Sequence, residues 1–170
     1  KNINKKIKIL ITDERISTKH IKKLNTKIFS FYQNKKNLTF SMPGRYDSNN
    51  HLIKNFRNQF NSLNKKKAGL FIGMGLDGHI CSIFNNIPDK KNFIISKKKN
   101  ENFHRITISK KYISSFNKIY LIAFGSKKGE TFSKILNNEI QSPINSLNFE
   151  SLNIICDKRF YQTAKKNLKF

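Results

Sequence analysis

Residues 69 to 84 read GLFIGMGLDGHICSIF. An apolar run enters a turn with glycines at 73, 75 and 78, and a histidine, His79, follows the third glycine. The glycine spacing is that of the G-x-G-x-x-G turn of dinucleotide-binding folds, in which a strand runs into a helix N-terminus that faces a pyrophosphate. Such a site also asks for an acidic residue about 20 positions on, to hold the ribose. Here Asp77 sets a carboxylate where the phosphates would lie, and the next extended run, NFIIS (92–96), leads into the basic tract KKKNE. A basic tract suits a 2′-phosphate, so a dinucleotide stays open as one reading. The other is that the turn presents His79 as a chemical group at a helix start.

Outward from this turn, extended apolar runs recur at 7–12, 37–42, 68–75, 92–96, 105–109, 118–125 and 152–156, rich in Ile and Phe as strands are. Helical spacing separates several of them, at 18–33, 50–63, 127–138 and 158–169. In HLIKNFRNQFNSL, for example, Leu52, Ile53, Phe56, Phe60 and Leu63 fall on one face. Strands alternating with helices predict an α/β fold, Rossmann-like, with a largely parallel sheet flanked by helices. Ligands of such sheets bind at the carboxyl ends of the strands. Those ends carry Asp13-Glu14-Arg15, then Leu76 to His79, then Ser126 to Glu130 opening a helix, and the pattern predicts that Arg15, His79 and Lys128 meet at one edge.

Composition narrows the function classes. The 170 residues suit one domain with its own core, without repeats, a signal peptide or a membrane-length apolar run. Cys81 and Cys156 lack metal-ligand spacing, which points away from a zinc site or disulfide framework and toward a reducing cytoplasm. A net charge of +24 raises the question of nucleic acid. The excess, however, is 29 Lys against 5 Arg, beside 23 Asn and 24 Ile, residues that A/T-only codons can write. The lysines scatter along the chain with no reading element, so any nucleic-acid affinity should be weak and independent of sequence. The oligomeric state is left open.

The turn and its surroundings resemble the signature of 6-phosphogluconolactonases, Gly-Met-Gly, any residue, Asp-Gly-His, two residues, then Ser-Leu-Phe. Gly73, Met74, Gly75, Asp77, Gly78, His79, Ser82 and Phe84 match, with Ile83 for the Leu. The order of the other elements agrees: DER upstream, an Arg-hydrophobic-Thr strand at RITIS, and Gly-x-x-Lys at GSKK. Glucosamine-6-phosphate deaminases share the Asp-Gly-His core but continue with Ala-Phe-Asn-Glu-Pro, where this chain reads CSIFNN.

The resemblance, which spans nearly the whole chain as a single domain, implies hydrolysis of 6-phosphogluconolactone, a small sugar-phosphate lactone, with no metal, cofactor or membrane. His79 would be the general base, Asp77 would orient its ring or the glycine turn, and Arg15, Arg105 and Lys128 would hold the 6-phosphate. A helix start would help keep His79 neutral. The chain departs from the family in starting at Lys1, just ahead of the DER strand. The family's N-terminal strand and Ser/Gly/Thr-rich phosphate loop are not seen before it, the Ser-Asn after DER is missing, and Asn85 replaces a Pro. A deaminase-like isomerase and a non-catalytic remnant of the family are the alternatives.

Overall fold

The computed structural model describes residues 7–16, 38–41, 49–84 and 90–169. The helix expected over 18–33 lies outside them. In chain order the elements are β1 (Ile7–Leu10), β2 (Asp13–Ile16), β3 (Leu38–Ser41), α1 (Asn49–Phe60), β4 (Leu70–Gly73), β5 (Phe93–Ser96), β6 (His104–Ile108), α2 (Lys110–Ile113), β7 (Ile119–Ala123), α3 (Ser126–Leu136), two short 3-10 turns (Pro143–Ser146 and Phe149–Ser151), β8 (Leu152–Cys156) and α4 (Lys158–Asn167). They group into two compact units, Lys1–Leu63 with Phe93–Thr107, and Asn64–Asn92 with Ile108–Phe170.

The second unit is built on a parallel sheet in the order β4-β7-β8. Its register sets Ile72 beside Leu121 and Leu121 beside Ile154, so the side chains of one face line up across the three strands. Along β4 the consequence is direct: Leu70 and Ile72 are buried, while Phe71 between them stays 57% exposed and stacks on Tyr120 of β7 at 4.8 Å. On β7, Ile119, Leu121 and Ala123 are all fully buried. Each buried Ile or Leu contributes roughly 1.5–3 kcal/mol.

Helices α3 and α4 belong to the same unit and pack tightly on each other. Phe132 of α3 meets Phe160 of α4 with ring centroids 5.5 Å apart, and Ile135, Phe160 and Ala164 are buried. The close approach is possible because position 129 has no side chain. A Cβ there would come within 2.5 Å of the Phe160 carbonyl oxygen.

The first unit holds a parallel pair, β1-β3, and a sheet in the order β2-β6-β5. Helix α1 presents Phe56 and Phe60, which close on Phe93 of β5 at 5.7 and 5.4 Å to form an aromatic core. The α/β class and the parallel sheets agree with the expectation from the sequence, but β2 and β6 run antiparallel. The sequence makes Asp13-Glu14-Arg15 a loop after one long strand. In the structure β1 ends at Leu10 and these residues form a strand of their own. The apolar alternation that would have marked it is hidden, because the inward positions are Glu14 and Ile16 and the first of these is a buried carboxylate.

Replacing Gly129 by Ala sets two effects against each other. Ala is favoured over Gly inside a helix by about 1 kcal/mol, whereas overpacking against a backbone atom that has no rotamer to escape into costs roughly 1–3 kcal/mol. Gly129→Ala should therefore lower the thermal midpoint measured by circular dichroism. A midpoint at or above wild type would show that the two helices are not held at this distance.

Candidate active site

Beyond β4 the chain folds back on itself without forming a helix. Met74 bridges to Ile80, and Ile80 to Ile83. Gly75 N–H donates to the His79 carbonyl at 2.8 Å, and Gly78 N–H to the Gly75 carbonyl at 3.2 Å. Gly78 sits at φ +79°, a left-handed conformation that glycine adopts without steric cost. Residues 79 to 84 are turns and bridges, so His79 does not stand at the helix start expected from the sequence. A pyrophosphate would likewise find no helix N-terminus directly after Gly78.

His79 is set by another device. Its Nδ1 donates to Asp77 Oδ1, and the same oxygen lies 3.5 Å from the His79 backbone nitrogen. With Nδ1 as donor, the neutral ring carries its lone pair on Nε2, the atom able to take a proton. The ring is 26% exposed and rests against Phe84 at 5.0 Å. It also lies directly on the backbone of Gly75. A Cβ at that position would overlap the imidazole and come within 2.7 Å of the Asp77 carboxylate.

Two hydroxyls of the second unit pin the loop from outside. The Thr131 hydroxyl, on α3, donates to the Leu76 carbonyl at 2.9 Å, and the buried Ser142 hydroxyl donates to the Gly78 carbonyl at 2.6 Å. Lys128 is three residues before Thr131, on the same face of α3, so the helix side that grips the loop also carries this cation. Asp157 joins the starts of α3 and α4: its Oδ1 accepts from Gly125 N and from Phe160 N, each at 2.9 Å. The first of these bonds, then the second, holds its carboxyl below the ordinary carboxylate pKa. None of Thr131, Ser142 or Asp157 is marked in the sequence, because their partners are backbone atoms distant along the chain.

Arg15 and Arg105 belong to the first unit, where β2 and β6 set them directly opposite each other. Both guanidiniums lie over the Phe103 ring, at 5.1 and 5.0 Å from its centroid. Glu101 takes Arg105 in a two-pronged contact, Nε to Oε2 at 2.9 Å and Nη2 to Oε1 at 2.5 Å. The structure thus brings Asp77 and His79 together with Lys128 in one unit, and Arg15 with Arg105 in the other. Among the described residues no group of three His, Cys, Asp or Glu could hold a metal, and no helix is long and apolar enough to cross a membrane.

The model of the family "Glucosamine-6-phosphate isomerases/6-phosphogluconolactonase" matches residues 2–155. The chain belongs to this family. It is 27% identical over 138 residues to a 6-phosphogluconolactonase of Helicobacter pylori, a match covering 75% of this chain and 60% of that protein. The chain thus spans about three-fifths of the length of that curated relative. Two solved structures show the family fold. One is a 6-phosphogluconolactonase from Plasmodium vivax, with TM-score 0.74, 14% identity, and coverage of 96% of this chain and 73% of that one. The other is a monomeric glucosamine-6-phosphate deaminase, with TM-score 0.73, 17% identity, and coverage of 94% and 76%. The fold is common to a lactonase and a deaminase, and side chains must decide between them.

The geometry has two measurable consequences. In long-range 15N–1H correlation spectra, neutral His79 should carry its proton on Nδ1, and Asp77→Ala should move the population toward the Nε2–H form. An unchanged tautomer would remove Asp77 from the pair. For Asp157, a carboxyl pKa lower in the folded than in the unfolded state adds stability above the unfolded value, and that stability disappears as pH falls through the folded one. Asp157→Ala should therefore melt below wild type at neutral pH, with the gap closing as the pH drops below 3.8. A gap that persists or widens in acid would contradict this linkage.

Proposed function

We propose that this family member opens 6-phosphogluconolactone by water attack, with His79 as the general base. The observation that carries the reading is the Asp77–His79 pair, held on the backbone of Gly75 with Nε2 left to accept a proton. Water donates its proton to Nε2 as its oxygen attacks the lactone carbonyl carbon. When the tetrahedral intermediate collapses, the bond from that carbon to the ring oxygen breaks, and the departing oxygen recovers the proton from the imidazolium. Asp77 stabilises the cation while it exists, as the carboxylate does in Ser-His-Asp enzymes, an analogy of roles only. The reading needs neither metal nor cofactor. Arg15, Arg105 and Lys128 are assigned to the 6-phosphate, the arginines being suited to two-pronged contact with it. A reducing, cytoplasmic setting suits two cysteines, neither of which forms a disulfide.

The lactonase reading is favoured over deamination by the loop itself. Ser82 and Ile83 are fully buried, and Phe84 lies against the His79 ring. Ser82 and Phe84 match the lactonase pattern, with Ile83 in place of its Leu, and the curated relative carries the same name.

With spontaneous opening of the lactone subtracted, His79→Ala should lower kcat by about 10² to 10⁴, the usual worth of a positioned proton transfer, with little change in binding. Lys128→Ala should raise KM more than it lowers kcat, because a phosphate remote from the carbonyl is held alike in ground and transition states. A folded His79→Ala protein with wild-type kcat would sink the mechanism. Ammonia release from glucosamine 6-phosphate without lactone hydrolysis would favour the deaminase reading.

A further inference from the structure

The first unit contains a carboxylate that no motif marks. Arg15 on β2 and Arg105 on β6 are opposite neighbours, and like charges so placed in an antiparallel pair repel each other. Phe103 offers its ring to both guanidiniums, which attracts each of them but does not fix their orientation in the ring plane. Glu101 supplies that orientation. Both of its oxygens are engaged by Arg105, and the two side chains are only 22% and 15% exposed, so the contact is shielded from bulk water. The Arg105 hydrogen bond, with smaller contributions from the charges of Arg105, Arg15 and Lys98, holds the Glu101 carboxyl below its ordinary pKa and keeps it ionised. Arg15 differs from Arg105: its guanidinium makes no hydrogen bond among the described residues, although it lies over the same ring. Arg15 and Arg105 thus bring two guanidiniums to one ring, and the Glu101 carboxylate is engaged by one of them.

We propose that Glu101 is a positioning residue of the phosphate site: it locks Arg105 across the strands so that Arg105 and Arg15 form a fixed pair of planar cations for a phosphoryl group. The inference rests on the assignment of these two arginines to the 6-phosphate. A single function for Glu101 as a counter-ion that merely offsets charge makes the opposite forecast, because removing a negative charge beside an anion site would tighten anion binding. Positioning forecasts weaker binding, since a released Arg105 must be ordered again for each ligand.

The test uses the full-length protein with inorganic phosphate as probe, measured by calorimetry, and 6-phosphogluconolactone as substrate. Glu101→Gln should weaken phosphate binding roughly three- to tenfold, less than the loss of a charge-assisted hydrogen bond itself. It should raise KM for the lactone by a similar factor with kcat within about twofold, because the group acts on binding rather than on the reacting carbon. In an Arg105→Gln background the same substitution should add nothing further, since Glu101 acts through Arg105. Phosphate affinity in Glu101→Gln equal to or tighter than wild type, with the melting temperature retained, overturns the proposal, as does an effect that persists without Arg105. If Arg15→Gln and Arg105→Gln both leave phosphate affinity unchanged, the assignment of the arginines fails and this inference with it. If phosphate binding responds as stated while lactone hydrolysis is absent, the reaction is misassigned and the role of Glu101 stands.

Discussion

The absence of a side chain at position 75 is the constraint on which the candidate active site rests. The His79 ring and the Asp77 carboxylate occupy the volume a Cβ would take, so the carboxylate–imidazole pair can form only over a bare backbone. The turn that returns the chain to this point needs a left-handed residue at Gly78, and it closes through the hydrogen bond from Gly75 to the His79 carbonyl. The two glycines therefore act for different reasons, one through space and one through conformation. The resemblance to a phosphate-cradling turn is a consequence of shared spacing, since here the glycines make room for a protein side chain.

The loop is also held from outside. Thr131 and Ser142 anchor its carbonyls from α3 and from the 3-10 turn, and α3 is held in turn by α4 across Gly129 and by Asp157 at the paired helix starts. A general base must sit within a fraction of an ångström of its working position, and hydrogen bonds from packed elements meet that demand better than loop contacts alone.

Charge is used in two ways. The many lysines are spread along the chain, whereas two of the five arginines are placed opposite each other and over one aromatic ring. Arginine is the side chain whose plane and fork can be oriented, and Glu101 and Phe103 orient it here. The family fold does not choose the chemistry, as the lactonase and deaminase structures match this chain about equally well. In the proposed reading the choice lies in the residues just past the histidine, where Phe84 rests against the imidazole.

The elements at 7–10, 49–60, 70–73, 93–96, 104–108, 119–123, 126–136, 152–156 and 158–167 are legible in the chain, the strands as apolar runs rich in Ile and Phe and the helices as a 3.6-residue spacing of apolar positions. The Gly-Met-Gly-x-Asp-Gly-His run is legible too, since local conformation and local chemistry are written by neighbouring residues. The strand at Asp13–Ile16 is not legible in the same way because Glu14 occupies an inward position, and its pairing depends on β6, far along the chain. The expectation of a helix at His79 fails for a related reason: bridges from Ile80 to Met74 and Ile83 satisfy the backbone in another way. Which carbonyl Thr131 and Ser142 would hold, and which residue would stand opposite Arg105, depend on contacts through space that leave no period in the sequence. The sequence alone therefore determined the elements and the loop that pairs Asp77 with His79, while the tertiary structure decided what anchors that loop and which strand sets Arg15 opposite Arg105, because those partners are distant in the chain and only folding brings them near.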